Sequence, residues 1–354
     1  MRAVSIRNIF WITFAWVLLS IAEFGHTYGA TSVNGCKMTA NMAWLKFTTA
    51  LFSGTLAGLA GGALIVYVFN NWLRSRPYGE ALLRILVTFT LVFFGISVIT
   101  GFFLHSRELS LPPSDPAVIK AVFSIFYEFD TIRTYLFWFS VVLVTNITIL
   151  VNEKYGPGVF RDFLLGRYFL PRREERIFMF LDLRSSTTIA EKLGEDSYFR
   201  LIQELFREVT PAILKNRGQI YQYVGDEIVV SWSLESGLNQ GRCVNCFLDI
   251  QHHLKERANY FQEKYGHQPE FKAGLHYGNV MAGEVGIVKR EITFSGDVLN
   301  TTARIQSKCN ELGVNILLSE KLVQALPSTM RSLARSLGAF PLRGKEDMVV
   351  IYTV

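Results

Sequence analysis

Apolar and charged residues are segregated along this 354-residue chain. Three uncharged runs, 47–73, 85–104 and 134–152, are each long enough for a helix to cross a bilayer, which takes roughly 20 apolar residues. A shorter run, 8–22, follows Arg2 and Arg7. It reads as a fourth span; a cleaved signal peptide is the alternative, because Ser20-Ile21-Ala22 has the small-residue form of a cleavage site. From about residue 177 the spacing becomes that of a soluble α+β domain. "RIFMFLDL" (176–183) has strand propensity, and Ile189, Leu193, Phe199, Leu201, Ile202, Leu205 and Phe206 repeat at helical intervals over 187–215. Two strand-like runs, 219–224 and 228–232, are joined across Gly225-Asp226-Glu227. A helical stretch at 238–265 then leads to the strand "FKAGLHYG" at 271–278.

Strand, helix, hairpin, helix, strand is the ferredoxin-like, split βαβ order. The predicted organisation is therefore an α-helical membrane domain at 1–152, a linker at 153–176 broken by glycine and proline, and an α+β domain at 177–354. A right-handed crossover makes the first two strands of that domain parallel, with the third returning between them. Asp182, ending the first strand, then converges with Asp226 at the hairpin tip. Capping by Asp182 and turn formation by Asp226 explain each residue singly. The pair, beside the polar turn Ser185-Ser186-Thr187 at a helix start, suits metal ions and phosphate.

Charge sets the topology. Residues 1–152 carry 10 basic and 6 acidic side chains, and residues 153–354 carry 26 and 24. Arg74, Arg76 and Arg84 follow the second span; Lys154, Arg161, Arg167, Arg172 and Arg173 follow the last. The positive-inside bias places both groups on the cytoplasmic side, with 25–42 and 107–130 outside. The expectation is a multi-pass protein of the inner cell membrane with its second half in the cytoplasm. These flanking arginines account for the net charge of +6, so nucleic acid is not an expected partner. Cys36 lies in an outside loop, and Cys243-Val-Asn-Cys246, a lone CxxC, reads as helix packing rather than a zinc site. Gly54, Gly58 and Gly62 form a small-residue stripe, equally fit for packing within the bundle or for a dimer seam. His26 and His105 map near the outer face, where a shared metal, haem or ligand site competes with ordinary interfacial histidines.

"VGDEI" alone resembles the hairpin of diguanylate cyclases, but the later motifs decide otherwise. "FMFLDLRSST" (178–187), "YVGDEIVVSW" (223–232), "AGLHYGNVMAGEVG" (273–286) and "ITFSGDVLNTTARIQ" (292–306) together resemble the class III nucleotidyl cyclases over residues 177–354. The resemblance implies an α+β class III cyclase domain that cyclises a nucleoside triphosphate, with Asp182, Asp226 and the Leu183 carbonyl binding two divalent ions, Mg²⁺ or Mn²⁺. It implies that Asn300 positions the ribose and Arg304 stabilises the transition state. Ser185, Ser186 and Thr187 stand where the family usually has Gly-Phe-Thr around the phosphate. Arg343 or Lys345 falls near its phosphate-binding lysine. The base-selecting positions are Gln222 and Thr293. A glutamine amide can address adenine or guanine, while Thr293 matches a subset of adenylyl members, which favours ATP. The expected function is a membrane-bound adenylate cyclase acting as a homodimer; the alternatives are a guanylate cyclase or a degenerate receptor or scaffold. Glu227 follows Asp226 and is expected on the opposite face, in a structural role.

Overall fold

The computed structural model describes residues 2–33, 39–69, 78–155, 165–288, 290–342 and 348–354. They divide into two compact units, Met1–Leu150 and Val151–Val354. The first unit holds α1 (Arg2–Val33), α2 (Ala40–Ala63, continued by a π-helical turn to Phe69), α3 (Tyr78–Leu109), a short α4 (Pro116–Ser124) and α5 (Phe129–Tyr155). Four stretches, Ile9–Gly29, Ala40–Tyr67, Leu83–Leu109 and Phe129–Ile149, are long and apolar enough to cross a membrane. The short N-terminal run thus belongs to a full-length helix that continues through Glu23.

Glu23 looks like an interruption in the sequence, yet the fold gives it partners. Thr134 Oγ1 donates to Glu23 Oε1 at 3.2 Å, and Trp138 Nε1 donates to Glu23 Oε2 at 3.1 Å. A polar group in an apolar bundle needs such bonds, because no water compensates it there. Gly54, Gly58 and Gly62 are buried against α1. A Cβ at these positions would lie 2.8 Å from Ser20, 2.7 Å from Thr13 and 3.4 Å from Ile9, respectively. The stripe is therefore a packing seam within the chain. His105 Nδ1 lies 3.2 Å from Glu108 Oε2, one turn further along its own helix. Among the described residues nothing joins His105 to His26, and no three metal-ligating side chains are grouped.

The second unit is built on one eight-stranded sheet. Its elements are β1 (Arg172–Leu183), α6 (Ser186–Leu193), α7 (Glu195–Lys215), β2 (Gln219–Val224), β3 (Glu227–Ser233), α8 (Leu234–Leu238), α9 (Arg242–Glu256), α10 (Ala258–Tyr265) and β4 (Phe271–Val285). There follow β5 (Glu291–Ser295), α11 (Asp297–Leu312), β6 (Ile316–Ser319), α12 (Glu320–Ala325), α13 (Ser328–Arg331), β7 (Arg335–Phe340) and β8 (Val349–Thr353). The strand order is β2-β3-β1-β4-β6-β8-β7, with β5 paired to β4. β3 is antiparallel to both β1 and β2, so β1 and β2 run parallel with the hairpin strand between them, as the crossover rule requires. β1 begins at Arg172, inside the expected linker, because its polar first residues still pair with 279–282 of β4. Backbone pairing, not apolarity, sets that boundary.

Alternation along β1 assigns its two faces. Ile177, Met179, Leu181 and Leu183 join Ile228, Val230 and Trp232 beneath α7 and α9, where Leu205 and Phe247 are buried. Fully burying each such side chain contributes about 1.5–3 kcal/mol. Phe178 and Phe180 point the other way, into a smaller cluster with Val229, Val280 and Phe294. On this second face α11 crosses β4 at Gly274, where a Cβ would come within 2.4 Å of the Gln306 backbone nitrogen. Only glycine permits that approach.

Cys243 and Cys246 of α9 and Cys309 of α11 are buried thiols. Burial pushes Cys243 and Cys309 up to about 12, and it moves Cys246 in the same direction. The CxxC is thus helix packing. Since the thiolate is the reacting species, all three should alkylate with iodoacetamide at pH 8 at least a hundredfold more slowly in folded than in denatured protein. Peptide mapping by mass spectrometry reads this out, and rapid native labelling of Cys243 or Cys246 would contradict it.

Candidate active site

The end of β1 gathers the chemistry. Asp182 pairs with Glu227 of β3 on one side and with Lys272 of β4 on the other. Residues directly opposite on neighbouring strands project from the same face. The expectation that Glu227 stands apart from the metal residues is therefore corrected. Asp226 occupies the turn before β3, and Glu227 begins the strand in register with Asp182.

Three carboxylates, Asp182, Asp226 and Glu227, consequently lie close enough to act on one another's charge in a partly buried corner, although they do not converge on one point as a ready-made ligand set. Burial, then the charges of Asp182 and Asp226, pushes Glu227 up to about 7, with Lys272 opposing them. Asp182 is also raised, chiefly by burial, with hydrogen bonding from Lys272 opposing the shift and the Asp226 charge adding to it. Lys272 Nζ lies 3.0 Å from Asp182 Oδ2, and Gln306 Nε2 donates to the same oxygen at 3.0 Å. Lys272 and Gln306 were not singled out from the sequence. Their signal was the register: Lys272 is one residue into the strand that flanks β1. One ammonium cannot balance three carboxylates. Asp226 Oδ2, moreover, is buried and has no hydrogen-bond partner among the described residues. An orphaned carboxylate oxygen beside a second aspartate fits a cation, and the oxygen donor set suits Mg²⁺ or Mn²⁺. The side chain of Leu183 is anchored in the core, at 1% exposure, which fixes the backbone at the end of this strand.

The turn after β1 is held from outside. Arg184 donates through Nε to Asn315 Oδ1 at 2.7 Å and through Nη2 to the Val314 carbonyl at 2.6 Å. Ser185 then takes a left-handed conformation, φ 55°, and α6 starts at Ser186. The missing glycine of the phosphate turn is thus replaced by a serine in the conformation glycine favours. Tyr198 of α7 closes this corner, hydrogen-bonded to Ser186; its hydroxyl is raised by burial and then by the nearby Asp226 charge.

The remaining predicted residues make no hydrogen bond or ion pair with the aspartates among the described residues. Asn300 is exposed on α11 and Arg304 is one turn on; neither bonds to Asp182 or Asp226, and among the described residues Arg304 has no ion-pair partner. Gln222 is exposed on β2 opposite Val229, whereas Thr293 pairs with Gly283. Their neighbours Tyr221 and Phe294 do touch, with ring centroids 5.0 Å apart. Arg343 and Lys345 lie outside the described residues.

Residues 171–354, more than half of the chain, match the adenylate and guanylate cyclase catalytic domain. The chain belongs to that family. Its cyclase domain is similar to "Adenylate cyclase 2" of Rhizobium meliloti (strain 1021), 34% identical over 58% of this chain and 56% of that protein. It is also similar to "Adenylate cyclase 1" of the same organism, 27% identical over 51% of this chain and 28% of the relative. The chain therefore spans about half or less of these relatives' lengths. A bacterial light-regulated adenylyl cyclase shares the fold, with TM-score 0.52 and 24% identity over 61% of this chain and 63% of the other.

Left-handed backbone at a residue with a side chain costs on the order of 1 kcal/mol, and a β-branched residue suffers more. Ser185→Gly should hold or raise the thermal midpoint of the cyclase domain, and Ser185→Val should lower its stability by about 2 kcal/mol. Calorimetry distinguishes the two. Equal midpoints would show that this turn is not strained.

Proposed function

We propose that this protein is a membrane-bound adenylate cyclase, converting ATP to 3′,5′-cyclic AMP and pyrophosphate at sites shared between two copies of the chain. The observation that carries the proposal is the orphaned Asp226 oxygen beside Asp182 in a domain of the cyclase family. Asp182, Asp226 and the Leu183 carbonyl would hold two divalent ions. Once bound, such ions supply the charge that acidifies the ribose 3′-hydroxyl and neutralises the triphosphate. The chain's own groups do the positioning. The Ser185–Thr187 turn offers backbone amides to phosphate, Asn300 orients the ribose, and Arg304 offers an uncommitted guanidinium to developing negative charge. Gln222 and Thr293 would read the base; Arg343 or Lys345 would assist at the phosphates. The names of the adenylate cyclase relatives support ATP over GTP. The four apolar helices and the positive-inside arginines support an inner-membrane protein with the cyclase domain cytoplasmic.

The separation of the two residue sets supports a homodimer. Within one chain Arg304 does not reach the aspartates, so a two-fold partner would supply it. The exposed apolar residues Val285, Ile287 and Val288 at the β4–β5 connection support a buried role in such a dimer.

Asp182→Asn or Asp226→Asn should lower kcat for ATP by at least a thousandfold, or about 4 kcal/mol of transition-state stabilisation. The domain should stay folded, since neutralising one of three clustered carboxylates relieves repulsion. Steady-state assays with Mg²⁺ and with Mn²⁺, run beside GTP controls, measure this. Substantial turnover in either variant, or preference for GTP, would contradict the proposal.

Asp182→Ala and Arg304→Ala should each be inactive alone. Co-expressed, half of randomly paired dimers are mixed, and each mixed dimer has one intact site of two. Activity should therefore return to about a quarter of wild type. No recovery, with mixed dimers verified by differential tags, would place each site within a single chain.

A further inference from the structure

We propose that the four apolar helices line a binding site, open on one side, for a small aromatic molecule bearing a single N–H or O–H donor. A cavity of about 170 Å³ lies where α1, α2, α3 and α5 meet. Its aromatic walls are Trp16, Trp138, Phe89 and Phe93. The two indoles pack against each other with centroids 5.7 Å apart, and both are largely buried. Gly61 lets Trp16 lie flat against α2, because a Cβ there would come within 2.5 Å of the Trp16 ring. This wall is therefore built into the helix seam.

Size and polarity define the ligand. A dry apolar cavity of roughly 150 Å³ accommodates benzene, so the space takes a single ring or a small fused pair. Four hydroxyls line it, from Ser53, Ser97, Thr100 and Thr134. Three have already donated their hydrogen: Ser53 to the Ala50 carbonyl at 3.0 Å, Thr100 to the Ile96 carbonyl at 2.8 Å, and Thr134 to Glu23 at 3.2 Å. These three present lone pairs to the cavity, so the ligand that complements them is a donor, while the Ser97 hydroxyl can accept or donate. Glu23 lies one bond behind the wall and holds Thr134 and Trp138 together, fixing both a polar and an aromatic element of the site. A carboxylate held at this depth in an apolar bundle is costly to keep without a role.

The test uses the full-length protein in nanodiscs of a single defined phospholipid, with indole as probe in equilibrium dialysis. Binding should saturate at one indole per chain. Ala57→Phe and Ser97→Leu, which fill the cavity from α2 and α3, should each weaken it at least tenfold. Benzofuran, which replaces the N–H by an acceptor oxygen in the same outline, should bind at least fivefold more weakly after correction for uptake by empty nanodiscs. If circular dichroism shows Ala57→Phe misfolded, Ser97→Leu decides. Uptake matching empty nanodiscs, saturable binding unchanged in the folded variants, or equal binding of benzofuran would overturn the proposal. A co-purifying lipid that indole cannot displace would overturn it in favour of an acyl chain.

Discussion

Asp182 lies directly opposite Glu227 on one strand and Lys272 on the other, and the organisation of the cyclase domain follows from this register. The pairing concentrates negative charge that the chain leaves incompletely compensated. A shift of β1 by one residue would turn Asp182 into the apolar layer that Leu181 and Leu183 now occupy and disperse the cluster. The surrounding architecture prevents that shift. β1 is hydrogen-bonded on both edges over most of its length, and its odd-numbered side chains are locked beneath α7 and α9. The fold thus spends packing energy on holding like charges together. A cation binding there would relieve that repulsion, which ties the electrostatics of this corner to its function.

The second constraint is a close approach. Gly274 lets α11 rest on β4, bringing Gln306 to Asp182 while leaving Asn300 and Arg304 on more exposed turns of the same helix. One helix therefore serves two surfaces. Its buried part steadies the carboxylate of its own chain, and its open part offers a guanidinium that has no ion-pair partner among the described residues. In the helical unit the equivalent device is the glycine stripe of α2, which draws α1 close, while Glu23 ties α1 to α5 through two hydrogen bonds.

Much of this was legible in the sequence. The 2.0 and 3.6 periodicities around 176–278 gave the order of elements and the strand crossover, and the uncharged runs gave the four long helices. The face of Glu227 was misplaced because alternation was counted from Asp226, which belongs to the turn. Counted from the cross-strand partner, Glu227 falls on the face of Asp182. Gln306 was not legible, because it acts through a contact with Asp182, 124 residues away, and Lys272 was signalled only by the register of its strand beside β1. The partners of Glu23 were hidden for the same reason, with Thr134 and Trp138 lying more than a hundred residues away. The strained Ser185 was half visible: the absent glycine marked the position, but only the backbone shows that the serine adopts the glycine conformation.

The central claim is that the carboxylate corner of one chain and the open face of α11 from a second chain form one metal-dependent site. The most direct measurement is a structure of the full-length protein with Mn²⁺ and a non-cyclisable ATP analogue, with the metal located by anomalous scattering. The account predicts manganese bound by both Asp182 and Asp226, and Arg304 of the second chain on the same nucleotide. Manganese away from those two aspartates, or a nucleotide enclosed by residues of a single chain, would contradict it.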